Sequence, residues 1–130
     1  MGLLSPARDR TVAGAAGRDE RKQQLSAWSR LLGAGEQVLE VYRLTRCAFV
    51  LTNRRLIIVD EAMSGRQVEY TSLPYRSITH ITVEAGGPFS ADADLRLWVM
   101  GRSTPIERQF GPEVDVYAVQ ALVVQYQHGS

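Results

Sequence analysis

Apolar and polar positions along this chain follow two patterns, one of period two through the middle and one close to period four at the ends. Phe49-Val50-Leu51 and Leu56-Ile57-Ile58-Val59 are short apolar runs either side of Thr52-Asn53-Arg54. Val and Ile pack well on a pleated surface, and Asn accepts the left-handed angles of a tight turn, so this stretch predicts a β-hairpin. The same pattern recurs. Residues 38–43, 47–52 and 55–61 read as three strands. A fourth spans 67–73, where Val68 and Tyr70 alternate with Gln67, Glu69 and Thr71. Pro74 has no N–H to donate, so pairing should lapse there. A fifth strand, 77–84, puts Ile81 and Val83 on one face and His80, Thr82 and Glu84 on the other. Residues 94–100 and 105–110 supply a sixth and a seventh, with Leu95, Leu97 and Val99 alternating against Arg96 and Trp98.

Helical spacing appears on both sides of this block. Leu25, Trp28 and Leu32 predict an accessory helix within 18–33, stopped at Gly33. A second helix should begin at Glu113 or Val114 and run to about Gln127, with Glu113 and Asp115 near its positive N-terminus. Residues 1–17 lack periodicity and read as a disordered leader, and 128–130 as a mobile tail. The fold class that follows is all-β with terminal helices. Residues 36–127 would form a seven-stranded bent barrel or sandwich capped by the C-terminal helix.

That helix carries two apolar stripes. Val114, Tyr117, Ala118, Ala121 and Leu122 form one, and Val116, Val119, Val123 and Tyr126 the other. One protomer of this size has little core in which to bury both. The second stripe, with Trp98 on the polar face of the sixth strand, is therefore the expected subunit interface.

Composition narrows the function classes. The chain has 130 residues, 45% hydrophobic and 22% charged, which suits one domain with its own core. Fifteen basic and fourteen acidic residues give a net charge of +1, without the basic excess that nucleic-acid binding needs. Cys47 is the single cysteine and falls in an apolar strand run, so it reads as a core residue in a reducing compartment. No apolar run approaches the roughly 20 residues that span a bilayer, and no secretion signal opens the chain. A cytoplasmic protein is expected.

Candidate chemistry is sparse. Ser77 and His80 stand at odd spacing on one strand, which sends them to opposite faces. Asp92-x-Asp94 lacks further acidic partners, and the glycine pairs do not open a helix in the phosphate-loop manner. No catalytic residue, metal ligand or cofactor site is expected. Arg43, Arg46 and Arg54 flank the first two turns and are the candidate contacts for an anionic lipid or phosphorylated ligand, the alternative reading.

A run of segments carries a family likeness. Leu51-Thr52-Asn53-Arg54-Arg55-Leu56-Ile57 comes first, then Tyr70, Ser72 and Leu73-Pro74-Tyr75-Arg76-Ser77-Ile78. Val83-Glu84, Gly87, Asp92 to Trp98 and Gly101 follow in order. Over roughly residues 31–127 the chain resembles the bacterial pleckstrin-homology-like (PH-like) family, a domain of unknown function. The resemblance implies a seven-stranded bent barrel with a C-terminal helix. It further implies cyclic homo-oligomeric rings, in which adjacent barrels pair strands, and a scaffold for an unidentified protein partner. It brings no enzymatic residues, and a membrane surface is disfavoured as a partner. Arg46-Cys47-Ala48 stand where that family frequently has a carboxylate.

Overall fold

The computed structural model describes residues 27–86 and 92–129. The leader expected at 1–17 and most of the accessory helix lie outside these. The described end of that helix, Ala27–Leu31, is a single 3₁₀ turn.

Seven strands appear where the alternation placed them: β1 (Val38–Leu44), β2 (Cys47–Thr52), β3 (Arg55–Glu61), β4 (Val68–Pro74), β5 (Ile78–Ala85), β6 (Ala93–Val99) and β7 (Ile106–Phe110). They form two antiparallel sheets, ordered β1-β2-β3-β4 and β5-β6-β7. A helix, α1 (Val116–Gly129), follows. The chain divides into two compact units between Ser72 and Leu73.

In the first unit, β2 is buried along its whole length. Its continuous apolar run, rather than a strict alternation, is the mark of a strand covered on both faces. The register pairs Val41 with Val50, Val50 with Ile57, and Ala48 with Val59. These five residues and Trp28 form a core cluster, with Leu32, Val38, Val68 and Tyr70 packed around it. The described N-terminal turn therefore serves as a lid on one face of its own sheet. Tyr42, Phe49 and Ile58 pair on the opposite face and are equally buried.

The β2–β3 turn differs from its expected mechanism. Asn53 is not left-handed; Arg46 is the one non-glycine residue with positive φ among the described residues. The Thr52 hydroxyl oxygen instead accepts from the Arg54 and Arg55 amides, both at 3.0 Å. The Asn53 side chain accepts from the Gln37 amide at 2.8 Å, which ties the turn to the segment leading into β1.

In the second unit, α1 packs along β5. The Asp115 carboxylate accepts from the Tyr117 and Ala118 amides at 3.1 and 3.3 Å, so Asp115 caps the helix, which starts one residue later. Gln120 and Gln127 donate to the Ile81 and Ile78 carbonyls of β5 at 3.2 and 2.6 Å. β5 is an edge strand, so the two amides occupy acceptors that a neighbouring strand would otherwise fill. A bulge between Ile78 and His80 shifts the strand's parity and lets carbonyls three residues apart point to the same side. His128 and Gly129, expected in a loose tail, continue the helical backbone.

Candidate functional site

The most fully built polar cluster lies at the start of β1 and β3. Arg55 forks onto Glu36, with Nε to Oε2 and Nη2 to Oε1 both at 2.9 Å. The remaining acceptor capacity of Glu36 is filled by the Thr52 hydroxyl at 2.7 Å and the Gly33 amide at 3.0 Å. Arg55 also donates to the Leu31 carbonyl at 2.7 Å and to Ser72 Oγ at 2.8 Å. The Glu36 side chain is 2% exposed. The Arg55 guanidinium and the two further donors outweigh burial and hold its carboxyl down at about 2. Arg55 is raised in turn by the same pair. Every atom is satisfied internally, so this is a clamp for the N-terminal turn rather than a receptor for a ligand.

The three hairpin arginines do not assemble. Arg43 is buried in β1, opposite Ala48, and is closed to a solvent-borne anion. Arg46 occupies the β1–β2 turn at φ 60° and donates to the Met63 carbonyl at 3.0 Å and more weakly to that of Ala62. Arg54 lies at the far end of β2 and donates to the Ala34 carbonyl at 2.8 Å. The six residues of β2 put roughly 20 Å between the turns holding Arg46 and Arg54. An inositol phosphate needs converging cations; these are dispersed and already engaged.

The expected interface stripe on the C-terminal helix is corrected in the same way. Val116, Val119 and Val123 are 4%, 0% and 0% exposed in the single chain. Tyr126 stacks on Tyr75 with centroids 5.3 Å apart. This face is the inward one because it shares its side of the helix with Gln120 and Gln127, which reach the β5 edge. The outward face joins Tyr117 and Ala121 of the other stripe to Val124, which belongs to neither, at spacing i, i+4, i+7, while Val114, Ala118 and Leu122 are half-buried. Tyr117 is 61% exposed and Val124 40%.

Trp98 stands on the outer face of the three-stranded sheet, half-buried, opposite His80. The two rings stack with centroids 5.0 Å apart and planes 16° apart. Its Nε1–H is enclosed and has no acceptor among the described residues. Beyond the pair, Arg96 is bound to Glu84 at 3.1 Å and, more closely, to Glu107, a line of charge across three strands that raises Arg96 through both carboxylates. The stack follows from pairing register alone. The hydrophobic pattern of β5 could not reveal it, because His80 reads as polar there.

Catalytic geometry is lacking among the described residues. Ser77 Oγ donates to the Pro74 carbonyl and His80 faces Trp98. No three His, Cys, Asp or Glu side chains cluster to hold a metal ion among the described residues. Open clefts are lined by Asp60, Glu61, Gln67, Val68 and Glu69 in the first unit, and by the approach to the helix around Asp92, Glu113 and Asp115 in the second. No described helix is long and apolar enough to cross a membrane.

Known proteins resemble this chain in sequence and in structure. The chain is 34% identical over 97 residues to the uncharacterized protein YjqA of Bacillus subtilis, covering 73% of this chain and 78% of that one. It is 31% identical over 96 residues to the uncharacterized protein YozO of the same organism, covering 74% and 82%. A crystal structure of a pleckstrin-homology domain from Shewanella amazonensis superposes with a TM-score of 0.71 at 34% identity, over 82% of this chain and 97% of that one. A DUF1696 family protein with such a domain, from Shewanella loihica, gives 0.69 at 34% identity over 82% and 92%. Residues 10–127 match the family described as "Bacterial PH domain", and the chain belongs to it.

Proposed function

We propose that this chain is a non-enzymatic PH-like module that assembles with copies of itself into a closed homo-oligomer and offers the repeated surface to a protein partner. The observation that carries the reading is the outward stripe of α1. From Val116 to Gln127 the helix contains no charged residue. A helix lying on a sheet normally turns charged side chains to water opposite its buried face. Here water meets Tyr117, Ala121, Val124 and the uncharged Gln125 instead. Single exposed apolar residues are ordinary; a charge-free outward stripe, in a unit that also holds the half-buried Trp98 on its sheet, has the composition of an interface centre. A second copy supplies a matching surface without stripping water from any charge, and repetition of one contact closes a ring.

Multi-angle light scattering on the full chain at micromolar concentration tests this. The wild type should run at a multiple of its 14.5 kDa mass, and Tyr117→Glu/Val124→Glu as the monomer. Both positions are exposed, so thermal unfolding of the variant should change little. A wild-type monomer, or a variant that keeps the wild-type mass, overturns the reading. The alternative of an anionic lipid or phosphorylated ligand at Arg43, Arg46 and Arg54 draws no support from their placement.

A further inference from the structure

We infer that copies of this chain join head to tail through the second unit: a tip carrying Arg76, Met100 and Arg102 seats in a cleft beside the start of α1 in the next copy. The inference rests on the proposed self-association and names the contact by which one copy meets the next. The tip stands at one end of the three-stranded sheet. Val99 pairs with Ile78 there, and the Met100 amide donates to the Ser77 carbonyl at 2.8 Å. That bond brings the β6–β7 turn against the single turn Tyr75–Ser77, which carries Arg76. Met100 is 67% exposed, and Arg76 and Arg102 are exposed with it. Gly101, at φ 89°, has open space where a side chain would stand, so the turn projects clear of its surroundings. Neither guanidinium has a partner among the described residues.

The cleft lies at the opposite end of the same sheet. Ala85 pairs with Ala93 there, and the seven residues of β6 put roughly 20 Å between the two ends. Gln120 and Gln127 hold α1 antiparallel to β5, so the start of the helix comes to this end as well. Pro112, Val114 and Tyr117 give the cleft an apolar wall, and Asp92, Glu113 and Asp115 give it a negative rim. Its volume, about 500 Å³, takes more than one side chain. Glu113 is exposed and has no partner among the described residues, and Asp115 spends only Oδ1 on its helix cap. Tyr117 belongs both to this cleft and to the outward stripe of α1, so the two surfaces are continuous.

Charge decides the occupant. The tip's half of the second unit, residues 73–83, 98–106 and 120–127, contains no Asp or Glu, whereas Glu84, Asp92, Asp94, Glu113 and Asp115 lie toward the cleft. The distance between the ends keeps one copy from closing on itself, and like ends repel. The tip of one copy fits the cleft of another: Met100 meets the apolar wall while the guanidiniums meet the carboxylates of the rim. Pairing of unlike ends is a heterologous contact, the kind whose repetition closes a ring.

Sedimentation velocity on the full chain tests this. Arg76→Glu/Arg102→Glu reverses the tip. Asp92→Asn/Glu113→Arg/Asp115→Asn reverses the rim and keeps a capping side chain at position 115. Each variant alone sets like charge against like and should sediment as the monomer at about 50 mM salt. An equimolar mixture of the two opposes unlike charges at every contact and should recover the wild-type size. Circular dichroism checks that each variant is folded. The wild type needs no substitution for a second measurement: its dissociation constant should rise roughly fivefold between about 50 and about 500 mM salt, as exposed ion pairs are screened. A folded variant that keeps the wild-type size alone, a mixture of folded variants that stays monomeric, or wild-type association unmoved by salt overturns the inference and leaves the self-association reading intact. A wild-type monomer at every salt concentration overturns that reading, and the inference with it.

Discussion

Replacing Glu36 with Gln keeps the shape of the clamp and removes its charge. The carboxyl is lowered from 4.5 to about 2 in the folded chain. The fall from 4.5 to about 2, at about 1.4 kcal/mol per pH unit, corresponds to about 3.5 kcal/mol of folding stability. The Glu36 side chain is 2% exposed but its partner Arg55 is 24% exposed, so solvent screening lowers the figure. The folded-state value is depressed, so the contribution is complete above the unfolded value near 4.5 and is lost as pH falls toward 2. Urea unfolding of wild type and Glu36→Gln, followed by circular dichroism from neutral pH down to about pH 3, measures it. The variant should be less stable by about 2–3 kcal/mol at neutral pH, and the gap should narrow steadily below about pH 4.5. A gap that is absent at neutral pH, or that keeps its size at low pH, refutes the assignment of stability to the ionised pair.

Two other expectations concern backbone and edge. Arg46→Ala should lower stability by about 1–2 kcal/mol in thermal unfolding, since it loses the bonds to the 62–63 carbonyls and keeps the left-handed backbone. Arg46→Gly should recover part of that by relieving the backbone. Gln127→Leu removes the donor to the Ile78 carbonyl and should destabilise by about 1–2 kcal/mol. Amide exchange should then quicken over the last two turns of α1 while β2 remains protected.

The strands were legible because each is short, bounded by turn residues and patterned by exposure. β2 reads as unbroken apolar sequence and is buried throughout; β5 alternates at Ile81 and Val83 and is exposed at His80, Thr82 and Glu84. The rotation of the C-terminal helix was not legible. Both stripes are apolar, so composition cannot choose the inner one. The choice falls to Gln120 and Gln127, polar residues whose value depends on a strand edge far away in sequence. The arginines misled for a related reason. Flanking a turn says nothing about direction: β1 turns Arg43 into the interior, and Arg46 bends back over the 62–63 loop. The Glu36–Arg55 clamp joins residues 19 apart, a distance at which charge spacing in sequence carries no signal.

The seven-residue interval between the two glutamines sets a rule for length variation. Seven residues make about two helical turns, close to 10.5 Å, which matches three residues of extended strand. One inserted residue between them would swing Gln127 by about 100° and leave the Ile78 carbonyl bare, whereas a full heptad would restore the facing side chain farther along. Viable insertions should thus gather at hairpin tips such as 63–66 and be scarce within 120–127, a phasing that deep sequencing of a random-insertion library can read directly.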